Sequence, residues 1–488
     1  MRLKEVLNGI ALLSVHCDLE AEVAHLTIDS RRAQAGTLFC AVYGAESKVH
    51  GVRYAAGAVK NGAVCVLTDV PCDESLPYVL VENAEVALAI AAANLNGRPA
   101  ERLRIIGVTG TNGKTTTTHL VRDILAHNGK KCGLIGTNEL VIGDTVVEDH
   151  PAFTTTPEPP ELHALFAQMA DAGCEFAIME VSSHALALNR VYGVRFEAAA
   201  YTNLSQDHLN YHETMEAYAE AKSRLFAQTD TAIINLDDAY AAQMQQTAAG
   251  KVLTFSRKST HADLAAKNIK LHASSVEFEA LAGDGIQRMK LGIPGAFSVE
   301  NALAAIGITM SVGLELDEIA EGLAAAKGVL GRAEVVPVGM DYTVMIDYAH
   351  SPDSLENILA TVRPITEGRV IAVFGCGGDR DKTKRPQMGR IAECLADHCV
   401  VTSDNPRTED PAAIIEDIVA GMKKTNHTCV ENRREAIGAA LDMARPGDFV
   451  LIAGKGQEMY QEIMGVKYPF DERVVIREHL ALKEGGNV

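Results

Sequence analysis

One short segment limits the possible folds more than any other. The apolar run Leu103-Arg104-Ile105-Ile106-Gly107-Val108 leads through Thr109 into Gly110-Thr111-Asn112-Gly113-Lys114-Thr115-Thr116. Such a run is typical of a buried parallel strand, and the residues after it, 115–128, carry helical patterning. A strand, a glycine-rich turn and a helix in that order aim backbone N–H groups at a helix N-terminus, where phosphate is stabilised. The usual phosphate-loop pattern is G-x-x-x-x-G-K-[ST]. Gly113-Lys114-Thr115 supplies its end, but Val108 stands where the first glycine belongs, and the glycines fall at 107, 110 and 113. The physics survives this spacing. Lys114 is suited to the β- and γ-phosphates of ATP, and the Thr115 hydroxyl to a magnesium ion. Residues 110–116 are therefore expected to bind ATP with Mg2+. A glycine turn with a merely solvated lysine is the plainer alternative, disfavoured by Lys-Thr-Thr at the helix start.

The rest of the chain is organised around this unit. With 488 residues it exceeds the roughly 250–300 that one core supports, so two or three domains are expected. The first block, 1–98, mixes short strands (64–68, 78–81) with helices (55–61, 85–95) and ends at the turn cluster Asn96-Gly97-Arg98-Pro99. In the second, 99–331, further apolar runs at 176–181, 198–204 and 231–236 alternate with helical stretches at 160–172 and 214–228. The third, 332–488, offers strands at 343–347, 370–375, 399–403 and 449–454. Helices are expected between them at 353–362, 386–396, 412–423 and 433–444. Alternation of this kind means α/β domains with parallel sheets, the last of doubly wound Rossmann-like type. Gly375-Cys376-Gly377-Gly378-Asp379-Arg380 invites a dinucleotide reading but lacks the third glycine of G-x-G-x-x-G, where Arg380 stands.

The formal net charge of -19 disfavours nucleic acid as a partner. Ten cysteines without a C-x-x-C suit neither a zinc site nor a disulfide framework, and buried, reduced thiols are expected. No stretch approaches the ~20 apolar residues of a membrane span. Residues 1–15 read as a short amphipathic helix rather than a secretory segment. A cytoplasmic protein without a membrane partner is the resulting expectation.

Two strand ends offer groups near the phosphate loop. The run 176–181 ends at Glu180-Val181-Ser182-Ser183-His184, an acidic residue where a magnesium ligand is wanted. The run at 198–201 leads into Thr202-Asn203-Leu204-Ser205-Gln206-Asp207-His208. His208 alone is as readily a packed loop residue as a ligand. Lys222, by residue type, is an ordinary solvated helix lysine.

In chain order, Gly110–Thr116, Thr154-Thr155-Thr156-Pro157, Glu180-Val181-Ser182-Ser183-His184-Ala185-Leu186 and Thr202-Asn203-Leu204 with Asp207-His208 resemble the Mur ligases. These are ATP-dependent amino-acid ligases of bacterial cell-wall precursor synthesis. Asp29-Ser30-Arg31, Tyr348-Ala349-His350-Ser351-Pro352 and Gly454-Lys455-Gly456-Gln457-Glu458 fit as well, so the resemblance covers nearly the whole chain. Asp404-Asn405-Pro406-Arg407 resembles the signature of the members that add meso-diaminopimelate. Diaminopimelate carries one carboxylate more than lysine, and an Arg fork binds a carboxylate bidentately. Such a contact is worth roughly 1.5–3 kcal/mol, about ten- to over a hundred-fold in binding. The plainer reading of the segment is a type I turn with Pro406 at its second position.

By this resemblance, block one holds the UDP group, with Ser30 and residues 44–47 near it. Thr155, Thr156, Ser182 and Arg190 match positions that hold the muramoyl-peptide. Two positions before Arg190, where some members have Gln, this chain has Leu188, which cannot make that polar contact. Glu180 and His208 match magnesium ligands. Lys222 matches the lysine that the family carbamylates into a metal-binding carboxylate. Asn301, Arg332, Asp347 and His350 match nucleotide-contact positions. Arg380, Asp404, Asn405, Pro406, Arg407, Gly454 and Glu458 match the amino-acid site. The implied substrates are ATP, meso-diaminopimelate and UDP-N-acetylmuramoyl-L-alanyl-D-glutamate, handled by a monomer. The implied reaction activates a carboxylate as an acyl phosphate, which the amine attacks. Lys114, Glu180, His208 and Lys222 would serve the chemistry, and the third block has to close on the second. The rivals are a lysine-adding member, a folylpolyglutamate synthase and, from another class, a nucleotide-switched binding protein.

Overall fold

The computed structural model describes residues 1–44, 49–147 and 155–485. The chain forms two compact units, one of residues 1–265 with 303–322, the other of 266–302 with 323–488.

In the first unit, a five-stranded sheet has the order β1-β5-β4-β3-β2, from β1 (Leu12–His16), β2 (His25–Thr27), β3 (Thr37–Ala41), β4 (Ala63–Thr68) and β5 (Tyr78–Val81). Strands β2 to β5 run parallel and β1 pairs antiparallel with β5. β3 is buried at every position because it is covered on both faces. Leu38 and Cys40 pack with Ala84 and Leu88 of the Ala84–Leu95 helix. Phe39 and Ala41, on the opposite face, pack with Ala55 and Ala58 of the Ala55–Lys60 helix. The helix expected over 1–15 is confined to Leu3–Val6. Leu12–His16 becomes the edge strand instead, because its backbone pairs with β5.

A second sheet of this unit holds the phosphate loop. It runs β9-β8-β7-β10-β6-β11-β12-β13. These are β6 (Arg104–Thr109), β7 (Cys132–Ile135), β8 (Leu140–Ile142), β9 (Thr145–Val146), β10 (Phe176–Glu180), β11 (Phe196–Tyr201), β12 (Thr229–Asn235) and β13 (Lys251–Ser256). Six of them are parallel, and β8 and β9 form an antiparallel extension. β6 lies between β10 and β11, so the loop after it opens at the carboxyl edge where neighbouring connections diverge. Phe255 and Ser256 of β13 pair with Leu264 and Ala265 of β14 (Leu264–His272). The stretch 214–228, expected as one helix, is a helix over Met215–Ser223 that tightens into a 3-10 segment, Arg224–Gln228.

The second unit contains a hairpin of β15 (Ser275–Ala282) and β16 (Gly285–Leu291), and a six-stranded sheet. The latter runs β17-β18-β22-β19-β20-β21, from β17 (Glu334–Val336), β18 (Thr343–Asp347), β19 (Val370–Phe374), β20 (His398–Val401), β21 (His427–Cys429) and β22 (Phe449–Ala453). All but the edge strand β17 are parallel. Helices Pro352–Val362, Lys384–Leu395, Pro411–Val419 and Arg433–Met443 separate the strands as the sequence indicated. A small hairpin, β23 (Tyr460–Ile463) and β24 (Val466–Pro469), precedes the final helix, Glu472–Gly485.

Among the described residues no helix is long and apolar enough to cross a membrane. All ten cysteines are free thiols, but Cys394 and Cys429 are exposed, so only part of the set is buried as expected.

Candidate functional site

The phosphate loop is built around Gly110. Its φ is +152°, and a Cβ there would lie 1.9 Å from Thr202 Oγ1, so glycine is required by the close approach of the next loop. Gly113 (φ +87°) caps the Lys114–His127 helix. Asn203 holds the turn from outside: its carbonyl accepts from Thr111 N (2.8 Å) and its Oδ1 from Asn112 N (3.0 Å). The Thr111 hydroxyl lies 3.2 Å from Tyr218 Oη.

Two lysines converge on one carbonyl. Lys114 Nζ donates to Gly110 O (2.9 Å) and Thr111 O (3.0 Å), and Lys222 Nζ donates to the same Gly110 O (2.8 Å). Lys222 is 1% exposed, which corrects its reading as a solvated helix residue. Burial first, and then the neighbouring Lys114 charge, push its pKa well below the ordinary lysine value. The Tyr218 ring lies beside both Lys222 (4.7 Å) and His208 (6.1 Å between rings). His208 is exposed, in the left-handed region at φ +53°, and its pKa is lowered chiefly by desolvation.

Thr115 and Glu180 form a second polar centre. Thr115 Oγ1 donates to Glu180 Oε1 (2.9 Å), which also accepts from Thr137 N (2.8 Å). The Thr137 hydroxyl bonds Glu180 Oε2 (3.1 Å) and Thr155 Oγ1 (3.2 Å). Thr116 is buried in the first helical turn. The structure thus pairs Thr115 with Glu180, and Lys222 with His208 through Tyr218. Among the described residues, no three His, Cys, Asp or Glu side chains gather as a preformed metal cage.

Thr156, Ser182 and Arg190 are brought together beyond Glu180. Thr156 Oγ1 donates to Glu180 O (2.9 Å) and accepts from Ser182 N (3.0 Å), while Ser182 Oγ caps the Ser183–Ala187 helix. Arg190 Nη1 donates to Thr156 O (2.9 Å), and its other arm pairs with Glu158. Ser30 opens a 3-10 turn capped by Asp29, and its carbonyl accepts from Asn61 Nδ2 (3.0 Å). Residues 45–47 and Thr154 lie outside the described residues.

The second unit carries two further groups. Asp347 ends β18 and accepts from Ala333 N (2.7 Å) and Ala349 N (2.8 Å); burial raises its pKa. The Arg332 guanidinium stacks on Tyr348 (4.6 Å), and His350 Nδ1 lies 2.9 Å from Tyr348 O. Asn301, 5% exposed, lies on the Ala296–Ser311 helix.

The other group surrounds the Asp404–Arg407 segment. Asp404 Oδ1 accepts from Asn405 N (2.6 Å). Burial pushes its pKa up, but Lys455 and Arg433 outweigh this and hold the carboxyl below its ordinary value. Asn405 Nδ2 donates to Glu458 Oε2 (2.7 Å), and Gly454 N donates to Asp347 O (3.0 Å). The expected type I turn with Pro406 second does not form, and the turn that replaces it is not of type I, which needs a negative φ at its second residue. Glu409 N bonds Pro406 O (3.0 Å), making Pro406 the first residue, and Arg407 takes φ +51°. The cause is tertiary: Arg407 N donates to Glu462 O (3.1 Å) and Met464 N donates to Arg407 O (2.6 Å), fixing Arg407 against β23. Arg407 Nη1 donates to Gly378 O (2.8 Å), and Nε lies 3.4 Å from Glu462. Arg380 is exposed and, among the described residues, bonds only the adjacent Asp379 carbonyl.

Thr137, Tyr218, Lys455 and Glu462 escaped assignment from sequence. Lys455 sat within a recognised motif, and the others carry no local signal because their roles come from distant partners.

The chain matches family models described as Mur ligase middle domain over residues 108–309 and Mur ligase, glutamate ligase domain over 331–456. The first covers the phosphate loop with Glu180, His208 and Lys222, and the second covers Arg332 through the Asp404–Arg407 segment. Among curated relatives, the UDP-N-acetylmuramoyl-L-alanyl-D-glutamate--2,6-diaminopimelate ligase of Caldanaerobacter subterraneus subsp. tengcongensis is 45% identical, over 99% of this chain and 100% of its own. The like-named protein of Listeria monocytogenes is 42% identical over 99% and 100%. A solved structure of a ligase of that name superposes with TM-score 0.73 at 32% identity, covering 99% of both chains. Mycobacterium tuberculosis folylpolyglutamate synthase shares the fold (TM-score 0.63, 18% identity, 83% of this chain and 96% of its own). With identity of this extent, and with one family model over the two polar centres and the other over the Asp404–Arg407 segment, the chain belongs to the Mur ligase family.

Proposed function

We propose that this chain is an ATP-dependent ligase that joins meso-diaminopimelate to the D-glutamate carboxyl of UDP-N-acetylmuramoyl-L-alanyl-D-glutamate, in peptidoglycan precursor synthesis. The observation that carries the choice of amine is Arg407, held at φ +51° by β23 two residues after Asn405, whose amide bonds Glu458. An Arg held in the left-handed region of the Pro406–Glu409 turn, with its backbone bonded on both sides, supports a recognition role beside its place in the turn. Its guanidinium suits the carboxylate that distinguishes diaminopimelate from lysine. Glu458 and Asp404 suit the distal ammonium, with Arg380 and Gly454 at the margins of this site.

The carboxylate of the muramoyl-dipeptide is a poor electrophile until phosphorylated. The N–H groups of 110–116 and Lys114 bind the triphosphate and offset charge as the γ-phosphoryl group transfers, giving an acyl phosphate and ADP. Asn301, Arg332, Asp347 and His350 are assigned to the nucleotide, and Ser30, Thr155, Thr156, Ser182 and Arg190 to the UDP-muramoyl-peptide. The amine of diaminopimelate then attacks the acyl carbon and phosphate leaves. The all-oxygen pair of Thr115 and Glu180 fits Mg2+, a hard cation. Bound magnesium would neutralise phosphate charge there. His208 and a carbamylated Lys222 are the second set of candidate ligands. The uncharged amine that burial favours at Lys222 is the form able to take up CO2. The reading places UDP on 1–98, ATP on 99–331 and the amino acid on 332–488, in a cytoplasmic monomer.

Phosphate release measured with the muramoyl-dipeptide and, in turn, diaminopimelate, lysine and glutamate tests the assignment. Release dependent on both the dipeptide and diaminopimelate is expected. Preference for lysine or glutamate would replace the amine, and release independent of any amine would remove the ligase reading.

A further inference from the structure

Lys455 follows β22 and has a side chain fully out of solvent. Burying an ammonium is costly unless it is paired and hydrogen-bonded, so its partners indicate why it is there. Nζ donates to Asn405 Oδ1 (2.9 Å) and Glu458 Oε2 (3.2 Å). Asn405 Oδ1 also accepts from Glu462 N (2.9 Å). With two donors on its oxygen, the Asn405 amide has one workable orientation: a flipped amide would set its NH2 against an ammonium and an N–H. In this orientation Nδ2 points to Glu458 Oε2 at 2.7 Å. Both protein donors to the Glu458 carboxylate therefore arrive at Oε2. Among the described residues, Oε1 accepts no hydrogen bond and remains available to a ligand.

We propose that Lys455 is a positioning residue for the acceptor amino acid, locking Asn405 and Glu458 into one unit that presents Glu458 Oε1 to the ligand's distal ammonium. This rests on the diaminopimelate reading above. Lys455 touches no reacting atom. It fixes the geometry of the two side chains that do the binding, and its charge balances the Asp404 and Glu458 carboxylates.

The test is a double-mutant cycle of Lys455→Met and Glu458→Gln, with kcat and KM measured for each substrate. Lys455→Met is expected to raise KM for diaminopimelate at least tenfold, with KM for ATP and for the muramoyl-dipeptide within about twofold of the parent. The double variant is expected to lose no more than the worse single variant, because the two residues act as one unit. Additive losses, or a fall in kcat with KM for diaminopimelate unchanged, overturn the proposal. A parent enzyme that does not ligate diaminopimelate would overturn the functional reading and this inference with it. A parent that does, beside an unaffected Lys455→Met, sinks the inference alone. Should Lys455→Met fail to fold, a crystal structure of the parent with diaminopimelate decides. The ligand ammonium on Glu458 Oε1 with Lys455 off the ligand supports the role, and Lys455 Nζ on the ligand overturns it.

Discussion

A Cβ at residue 110 has no room. Thr202 Oγ1 would lie 1.9 Å away, and the carbonyl of Gly110 is where Lys114 and Lys222 meet. Gly110→Ala must push the loop off Thr202 and disperse both lysines. A loss of ATP affinity of tenfold or more is expected, read by titration calorimetry, and unchanged affinity would show that the loop grips no phosphate. Lys114→Ala keeps the backbone but removes the cation. Loss of one aligned charge-stabilising group costs about 10²–10³-fold in rate, so ligation should fall by at least that much with the melting curve nearly unmoved. Full activity would sink the nucleotide assignment. Arg407→Ala acts elsewhere, on KM for diaminopimelate, which should rise roughly ten- to a hundred-fold. A variant that binds diaminopimelate as well as the parent would refute the specificity argument.

Among the elements, the start of the Arg433–Met443 helix is joined to the start of the Glu472–Gly485 helix by one ion pair, fully buried on both sides, at 2.7 Å. Arg433 also donates to Ala453 O (2.8 Å) and Ser403 O (3.4 Å), tying the end of β22 and the loop after β20 to the same point. Arg433→Met leaves a buried carboxylate without its partner, a loss of about 3–5 kcal/mol. Denaturant unfolding should show that drop. Adding Glu472→Leu should recover the part due to the stranded charge, but not the part due to the two carbonyls. A single variant within about 1 kcal/mol of the parent would mean the pair does not join these helices. Such a pair is invisible in sequence, where Arg433 and Glu472 are two ordinary charged residues. The strands around them were legible because both faces of a parallel sheet are covered, which leaves continuous apolar runs such as Phe449–Ala453. The β15–β16 hairpin is not an apolar run and was missed on that account, although Val276, Phe278 and Ala280 alternate with Ser275, Glu277 and Glu279, which is itself the period-two signature of a half-buried strand.

At the scale of the whole chain, the candidate site was legible wherever its residues are consecutive, as in Gly110–Thr116 and Asp404–Arg407. It was not legible where tertiary burial sets the chemistry. Lys222 reads as solvated and is buried, and Arg407 reads as part of a simple turn but is bent by β23. His163 shows the same effect on stability. It lies on the Pro159–Asp171 helix, 2% exposed, edge-on to Phe166. Neither ring nitrogen has a hydrogen-bond partner among the described residues. Burial pushes its pKa down to about 4 from an ordinary 6.5. A histidine with a lowered folded pKa takes up its proton more readily when unfolded. Between pH 6.5 and 4 the unfolded state therefore binds more protons, and stability falls as pH falls through that window. Above 6.5 the term is constant. A shift of this size corresponds to about 3 kcal/mol at its full extent. Replacing His163 with Leu removes the titration while keeping an apolar side chain of comparable bulk. Unfolding free energies of parent and His163→Leu, measured from pH 7.5 to 4, should diverge steadily below 6.5, with the parent losing more. Parallel curves over that range would mean that the ring is already solvated when the protein is folded.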